Sequence, residues 1–266
     1  MGIVQGLTEF LPVSSSGHLL LVPEVLGWDD AFINSLAFSV MLHLGTMVAL
    51  LGYFRADWIR IVPAGFATIR DRSFANDPDR RLAWLLAAAT IPAAIVGYLF
   101  NDVIETTIRE PWLVVVTMVI GAALLWVADH LGRQDKEVAD VTFPISVGLG
   151  LAQALALVPG ISRSGISISA ARLAGLRRPD AARFSFLMAT PITIGAIVFE
   201  ARKLVSGESG VAPELAPLVV GLVASLVSGL LAIHFMLRYL RTRSLDIFVW
   251  YRLGVAAVVA IVLATQ

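Results

Sequence analysis

The sequence PGISRSGISIS at residues 159–169 interrupts a chain that is otherwise strongly apolar. Two glycines and four serines surround a single arginine, Arg163. An arginine left unpaired at membrane depth is costly, so Arg163 must face a partner or a ligand. A second break, PVSSSGH at residues 12–18, follows the carboxylate of Glu9. We predict that the two breaks meet and form the functional site.

The composition predicts a membrane protein. Of the 266 residues, 58% are hydrophobic and 15% are charged, and the mean hydropathy is +0.81. These values are typical of a polytopic membrane protein and not of a soluble domain. The formal net charge is zero, so we expect no nucleic-acid partner. The absence of cysteine excludes disulfides, thiol catalysis and thiolate metal sites.

Six apolar stretches are long enough to cross a hydrocarbon core, which takes roughly 20 helical residues. They are residues 36–54, 82–100, 111–128, 184–201, 213–237 and 246–264. In two further segments, residues 1–22 and 142–171, an apolar arm runs into Pro, Gly and Ser and then resumes. Irregular backbone survives at membrane depth only when it is buried in protein or lines a cavity. We therefore predict that both segments are re-entrant helix–break–helix hairpins.

The basic residues predict the orientation of the chain. Fifteen of the 20 lysines and arginines lie in four segments between the predicted spans, residues 55–81, 129–141, 172–183 and 238–245. The segments predicted on the opposite side, residues 23–35, 101–110 and 202–210, hold only Arg109, Arg202 and Lys203. Basic loops stay in the cytoplasm, so we place the four arginine-rich segments there. This orientation requires residues 142–171 to enter and leave the membrane on the same side.

The two hairpins resemble each other in sequence. At a constant offset of 148 residues, identical residues align: Gly2 with Gly150, Gln5 with Gln153, Leu7 with Leu155, Ser14 with Ser162, Ser16 with Ser164 and Gly17 with Gly165. Three predicted spans separate the hairpins, and an odd number inverts the second copy. We predict two inverted-topology repeats, residues 1–134 and 135–266, whose broken helices converge near the midplane and point helix N-termini at an anion.

Two further predictions concern the start of the chain. No basic region precedes the first apolar residues, so we expect no signal peptide. The second hairpin begins near Thr142, whose equivalent would lie seven residues before Met1. We therefore expect a few more residues ahead of the first arm.

The second break has the composition of an anion site. Gly160 and Gly165 allow close approach of the backbone, Ser162 and Ser164 supply hydroxyl donors, and Arg163 offers a guanidinium to phosphate oxygens. We predict that it binds a phosphate or diphosphate. The alternative is a helix kink whose arginine pairs internally.

The first break supplies groups that can do chemistry. Glu9 can act as a general base or bind a divalent cation, and Ser14, Ser15 and Ser16 offer a nucleophile. His18 can donate a proton or orient that serine. Gln5 lies one helical turn before Glu9 and can add an amide oxygen to the same site. The alternative is a structural role for Glu9 and His18.

Two segments resemble the undecaprenyl-diphosphate phosphatase family, which is also known as the bacitracin-resistance phosphatases. They are QGLTEFLPVSSSGH at residues 5–18 and PGISRSGIS at residues 159–167. ATIPAAIVG at residues 89–97 and WYR at residues 250–252 resemble further family segments. The resemblance implies a multi-pass enzyme of the bacterial inner membrane that hydrolyses undecaprenyl diphosphate to undecaprenyl phosphate and inorganic phosphate. That reaction recycles the lipid carrier of peptidoglycan synthesis and confers bacitracin resistance. A polyprenyl diphosphate lipid substrate, a site open to the periplasm and a need for Mg²⁺ or Ca²⁺ are also implied, and a homodimer is one option for the oligomeric state.

The resemblance assigns the site residue by residue. The family's first motif falls on Gln5 and Glu9, the expected metal ligands, its candidate serine nucleophile on Ser15, its histidine on His18 and its arginine on Arg163. The expected phosphate-binding residues are Gly160, Ser162, Arg163, Ser164, Gly165 and Ser167. Gln5 stands at a carboxylate position, which weakens a metal site built on paired carboxylates. Ser167 stands where the family commonly has threonine, which keeps the hydroxyl.

A mechanism follows as a hypothesis. Arg163 and backbone N–H groups hold the diphosphate, and a divalent ion near Glu9 and Gln5 offsets its charge. Ser15 attacks with Glu9 as base, and His18 assists proton transfer. Ser15, His18 and an activated water all remain open as the nucleophile.

Four other polar residues lie in or near the predicted spans. Arg252 can pair with a carboxylate or reach the lipid diphosphate, and we expect it to have a structural partner. His43 and His234 are expected to be core histidines, and Glu200 an interfacial charge.

Two other classes of membrane protein share features with this sequence. A transporter or lipid flippase also uses inverted repeats with broken helices, but it needs no base and nucleophile beside the anion site. An acid-phosphatase-type lipid phosphatase requires a histidine six residues after the arginine, where this chain has Ser169, and a Lys-x6-Arg-Pro element, which the chain lacks. We therefore reject the second rival.

Overall fold

The computed structural model describes residues 1–74, 76–100, 110–206 and 214–265. Its α-helices within these ranges are α1 (Gly2–Phe10), α2 (Ser15–Leu26), α3 (Leu36–Tyr53), α4 (Arg55–Asp71), α5 (Pro78–Leu99), α6 (Pro111–Leu131), α7 (Phe143–Ala154), α8 (Arg163–Leu173), α9 (Arg178–Ser206), α10 (Leu215–Tyr239) and α11 (Asp246–Thr265). Short 3-10 turns occupy Val138–Asp140 and Leu155–Leu157. The chain is an all-α polytopic membrane protein, as predicted.

In the described part of the chain, five helices are long and apolar enough to span a membrane: α5, α6, α10, α11 and the Arg178–Phe199 part of α9. A sixth span is formed only if α3 and α4, which meet at an angle of 85°, are counted together. The predicted spans fall on these helices. The helix α4 was not predicted, because residues 55–81 carry six arginines and were assigned to a loop. Its exposed apolar residues, Ile59, Val62, Phe66 and Ile69, recur at helical spacing.

Both predicted hairpins are broken helices. The first consists of α1 and α2, and the second consists of α7, the Leu155–Leu157 turn and α8. The two ends of the second hairpin are joined by backbone hydrogen bonds, Lys136 N to Gly175 O at 3.1 Å and Arg177 N to Lys136 O at 2.9 Å. The segment therefore enters and leaves at the same end of the molecule, which confirms the requirement set by the charge distribution.

A buried ion cluster unites the arginine-rich segments. Asp129 accepts hydrogen bonds from Arg178 Nε at 2.7 Å, Arg172 Nε at 3.3 Å and the backbone N–H of Leu245 at 3.0 Å. Arg172 and Asp129 are 0% and 3% exposed. Arg183 of the same region reaches Asp57 on α4 at 2.6 Å. All four segments predicted to share the cytoplasm thus lie at one end of the structure.

The first arm of each hairpin packs across the molecule. Helix α1 packs on α10, and α7 packs on α5. Glycine permits both close approaches: a Cβ on Gly2 would collide with the carbonyl oxygen of Gly221, and a Cβ on Gly150 with that of Ala89. Gly2 and Gly150 were aligned by the repeat, so this sequence match corresponds to the same packing role.

Some predictions lie outside the described residues. Arg109 is among them, and the side chains of Glu200 and Lys203 are also not described. Arg202 is exposed on α9. The division into inverted repeats at residues 1–134 and 135–266 stays a prediction.

Candidate active site

Each hairpin turns at a serine with an unusual backbone conformation. Ser14 has a φ of 77° and Ser162 a φ of 75°, values that residues other than glycine rarely adopt. Each serine caps the helix that follows, because Ser14 Oγ accepts from Gly17 N at 3.2 Å and Ser162 Oγ from Gly165 N at 3.1 Å. The repeated Ser-x-Ser-Gly sequence therefore corresponds to one local structure that is used twice.

Arg252 on α11 joins the two breaks. Its side chain is 0% exposed. The guanidinium donates to five backbone carbonyls: Pro12 at 3.2 Å, Gly160 at 2.8 Å, Ile161 at 3.0 Å, Thr117 at 3.4 Å and Met118 at 3.1 Å. The first carbonyl belongs to the first break, the next two to the second, and the last two to α6. Arg252 thus has structural partners, as expected, and they are backbone groups.

Glu9, at the end of α1, is the centre of the candidate site. Its carboxylate oxygen Oε2 accepts from Ser15 Oγ at 2.7 Å and from Gln5 Nε2 at 3.0 Å. Its other oxygen, Oε1, pairs with Nη2 of Arg163. The structure therefore brings together Gln5, Glu9 and Ser15 of the first hairpin and Arg163 of the second.

Arg163 is the first residue of α8, and Ser15 is the first residue of α2. The two positions are equivalent at the offset of 148, and both side chains reach Glu9. Arg163 also donates through Nη1 to Thr193 Oγ1 on α9. Its neighbour Ser164 donates to the carbonyl of Leu11 at 3.0 Å, a second contact between the breaks. The prediction that the breaks meet is confirmed.

The space beside these residues is small. A cavity of about 10 Å³ lies among Glu9, Arg163, Thr46, Ser164, Ser185 and Thr193. This is roughly the room that one water molecule needs. A diphosphate does not fit in this space while Arg163 is paired with Glu9.

His18 is not brought to Glu9. Its Nδ1 lies 2.7 Å from the carbonyl of Ser14, and its Nε2 lies 2.9 Å from the hydroxyl of Tyr251 on α11. Both ring nitrogens thus point to groups other than Glu9 and Ser15. The role of His18 in proton transfer stays a prediction.

His43 on α3 occupies the place beside Glu9. Its Nε2 lies 3.3 Å from Glu9 Oε2, and its Nδ1 lies 2.8 Å from the carbonyl of Ser39. A carbonyl only accepts, so Nδ1 carries a proton and Nε2 faces the carboxylate. The expected core role therefore missed the contact of His43 with Glu9. A histidine inside an apolar span was the signal that could have found it.

The prediction from the sequence was wrong at one further position, His234, and missed another, Thr193. His234 is exposed, with Nδ1 3.3 Å from the hydroxyl of Tyr53, so its assignment to the core was wrong. Thr193 was missed, and no signal marks it, because a helical threonine commonly bonds to its own backbone. Thr193 does so as well, donating to Ala189 O at 2.7 Å.

Several expected phosphate-binding groups have hydrogen-bond partners within the protein. Ser162 Oγ and Gly165 N bond to each other, Ser164 bonds to Leu11, and the Gly160 carbonyl accepts from Arg252. The hydroxyl of Ser167 is buried and has no hydrogen-bond partner among the described residues. Phosphate binding by this set stays a prediction.

The charges around the breaks favour an anion. The helices α2 and α8 both begin there, and a helix N-terminus carries partial positive charge. Among the side chains that the structure describes at the breaks, Arg163 and Arg252 are two cations and Glu9 is the one carboxylate. Because the protein does not fully neutralise this positive charge, a bound anion would be stabilised.

The donors for a divalent cation are few. Among the described residues, no group of three or more His, Cys, Asp and Glu side chains could hold a metal ion. Glu9 is already paired with Arg163, but Gln5 Oε1 is a buried oxygen with no hydrogen-bond partner in the described structure. One carboxylate and one amide oxygen fit an ion that is held mainly by other ligands, such as diphosphate oxygens.

The fold and the site define an integral membrane protein with a small pocket, lined by the Glu9–Arg163 ion pair, at the meeting of two broken helices. The chain belongs to the bacitracin resistance protein BacA family, whose family model matches residues 1–258.

Curated relatives align with nearly the whole chain. An undecaprenyl-diphosphatase of Rubrobacter xylanophilus is 47% identical over 264 residues, covering 99% of this chain and 96% of the relative. Proteins of the same name from Desulforudis audaxviator and Gemmatimonas aurantiaca are 46% and 43% identical, covering 97% and 100% of this chain and 95% and 97% of the relatives.

Proposed function

We propose that this protein hydrolyses undecaprenyl diphosphate to undecaprenyl phosphate and inorganic phosphate. Family membership and the names of the relatives support the reaction. The observation that carries it is the arrangement on Glu9, where a serine hydroxyl lies 2.7 Å from one oxygen and the guanidinium of Arg163 pairs with the other. The carboxylate of Glu9, which can act as the base, therefore contacts both a nucleophile and a phosphate-binding cation.

The first step is an exchange of partners by Arg163. The incoming diphosphate takes the guanidinium from Glu9, because phosphate oxygens offer the same paired acceptors with more negative charge. Release from Arg163 frees Oε1 of Glu9, while Oε2 keeps its hydrogen bond to the hydroxyl of Ser15. Substrate binding thus enlarges the pocket and leaves Glu9 in contact with the serine that it deprotonates.

Ser15 then attacks the terminal phosphorus. Its proton passes to Glu9 Oε2, a bond forms between Ser15 Oγ and phosphorus, and the bond from phosphorus to the bridging oxygen breaks. Undecaprenyl phosphate leaves, and water hydrolyses the phosphoserine to release inorganic phosphate and restore the hydroxyl. Arg163 stabilises the charge on the transferring group throughout.

His43 completes a proton path from Ser15 through Glu9. Its Nε2 faces Glu9 at 3.3 Å while Ser39 holds the proton on Nδ1, so Nε2 can accept the proton that Glu9 receives. We expect His43→Gln to remove one ionisation from the pH dependence of phosphate release. An unchanged profile would contradict this path.

We also propose that a divalent cation, Mg²⁺ or Ca²⁺, arrives with the diphosphate. Glu9 and the free oxygen of Gln5 are the residues that would contact it, and the ion would offset charge on the phosphoryl group. Phosphate release should then fall when EDTA is added and recover with excess cation. Equal rates with and without EDTA would remove the cation from the proposal.

The location of the protein follows the charge distribution. We place the arginine-rich end in the cytoplasm, the chain in the bacterial inner membrane and the entrance to the site on the periplasmic side. The contacts among the four arginine-rich segments support a common side. Labelling of single cysteines introduced at either end, in intact cells, tests this orientation, and labelling of the arginine-rich end from outside would reverse it.

The central experiment measures phosphate release from undecaprenyl diphosphate by purified protein in detergent. We expect release by the wild type, its loss in Glu9→Ala and Arg163→Ala, and a labelled phosphoserine at residue 15 in rapidly quenched samples. Normal release in both variants would show that hydrolysis does not use this site, and no release by the wild type would favour a transporter over an enzyme. A label on neither Ser15 nor His18 would contradict covalent catalysis and favour an activated water.

A further inference from the structure

A groove runs between α2 and α11 beside the candidate active site. Its volume is about 520 Å³. Its walls include His18, Val22 and Leu26 of α2 and Tyr251, Val255 and Val258 of α11. The groove is therefore almost entirely aliphatic, with polar groups only where His18 and Tyr251 meet.

The polar end of the groove is the end nearer to the site. Ser15, His18, Val22 and Val25 follow one another at intervals of three or four residues and so share one face of α2. Ser15 contacts Glu9, His18 begins the groove one turn later, and the apolar wall continues to Leu26. From His18 to Leu26 the helix advances about 12 Å.

The polar end is also well ordered by its contacts. His18 Nε2 and the Tyr251 hydroxyl are 2.9 Å apart, and their rings stack with centroids 5.7 Å apart. A hydrogen-bonding pair at one end and aliphatic walls along the rest match an amphiphile whose charged head lies toward Ser15.

We propose that this groove binds the first isoprene units of the polyprenyl diphosphate, while its diphosphate occupies the site at Arg163. This inference rests on the proposed function and adds the place where the protein recognises the lipid tail. The groove extends a contact surface from the reacting groups, so binding of the tail positions the terminal phosphate beside Ser15.

Gly254 provides a substitution that fills the groove without disturbing the fold. It lines the groove, and a Cβ at this position would meet nothing within 4 Å. Gly148 on α7 is a matched control, because it is also an exposed helical glycine whose Cβ would meet nothing within 4 Å, and it lies outside the groove. Replacing a helical glycine by leucine favours the helix in both cases.

The experiment compares the wild type, Gly254→Leu and Gly148→Leu in detergent, with undecaprenyl diphosphate as substrate and inorganic pyrophosphate as competitor. We expect the KM of Gly254→Leu to rise about tenfold or more, as a blocked apolar subsite should produce. Inhibition by pyrophosphate, which has no tail, should be unchanged. Gly148→Leu should match the wild type in both measurements.

Other outcomes overturn the inference. An unchanged KM in Gly254→Leu would show that the tail does not use the groove and would leave bulk phospholipid as its occupant. Equal weakening of substrate and pyrophosphate would show that the substitution acts through the anion site. Val258→Trp, which narrows the far end, must raise KM in the same direction. A wild type that releases no phosphate would instead refute the proposed function.

Discussion

The loops at the two breaks, residues 12–18 and 159–169, share a turn conformation but differ in their functional side chains. Ser14 and Ser162 share the turn conformation and the cap to a glycine three residues on. At the next position the first loop has Ser15 and the second has Arg163, and both side chains contact Glu9. Glu9 itself is matched by Leu157 in the second loop. The two loops thus share a turn conformation, while the proposed nucleophile lies in the first and the proposed anion-binding group in the second.

The buried glutamines show the same difference. Gln5 donates to Glu9 at 3.0 Å, whereas neither amide atom of Gln153 has a hydrogen-bond partner in the described structure. A buried polar group without a partner lowers stability. Gln153 of the second hairpin therefore lacks the carboxylate partner that Gln5 has, because Leu157 occupies the position equivalent to Glu9.

The largest effect is expected at the carboxylate that both loops contact. Glu9→Gln removes the base and leaves the partly buried Arg163 without its anion. We expect phosphate release to fall by about 10³-fold. Glu24→Gln, at an exposed position on α2, is the control and should retain full activity. A loss below about tenfold would mean that the first loop does not supply the base.

The second-largest effect is expected at the cation of the second loop. Arg163→Lys keeps the charge but loses the planar pair of donors that contact Glu9 and Thr193. We expect kcat/KM for phosphate release to fall about 100-fold. Arg177→Lys, exposed at the end of the same hairpin, should have no effect. Full activity in Arg163→Lys would contradict paired recognition of phosphate.

A third prediction concerns the connection between the loops. A Cβ on Gly121 of α6 would collide with the Arg252 guanidinium, which bonds to both loops. We expect Gly121→Ala to lower the free energy of unfolding by about 2–4 kcal/mol, because several buried carbonyls lose their donor. Gly195→Ala, where a Cβ meets nothing within 4 Å, is the matched control for thermal unfolding in detergent. Equal stability of the two variants would show that Arg252 does not hold the loops together.

The smallest effects are expected at the two glutamines. Gln5→Leu loses one hydrogen bond to Glu9, and we expect a decrease of about tenfold in phosphate release. Gln153→Leu removes an unpaired buried amide, so activity should not change and thermal stability should stay equal or rise. Reduced activity in Gln153→Leu would mean that the second loop takes part in the chemistry as well.

Much of the fold was predictable because it depends on local sequence. Apolar stretches of span length, arginines between them and Gly/Ser breaks each report on a short window of chain. The prediction failed at α4, because its arginines led to its assignment as a loop. The structure shows a helix at an angle of 85° to α3, and this helix exposes an apolar face. Whether such a segment continues a span or turns aside depends on what packs beside it.

The sequence by itself determined the membrane class and the positions of the two breaks, because composition and spacing are sufficient for these. It predicted that the breaks meet, and the structure brings Ser15 and Arg163 into contact with Glu9. Only the tertiary structure decided that His43 faces Glu9, that His18 turns to Tyr251 and that Arg252 bonds to carbonyls of both loops. These contacts join residues far apart in the chain. The rotation of α3 and α11 about their axes sets them, and that rotation results from the packing of all neighbouring helices.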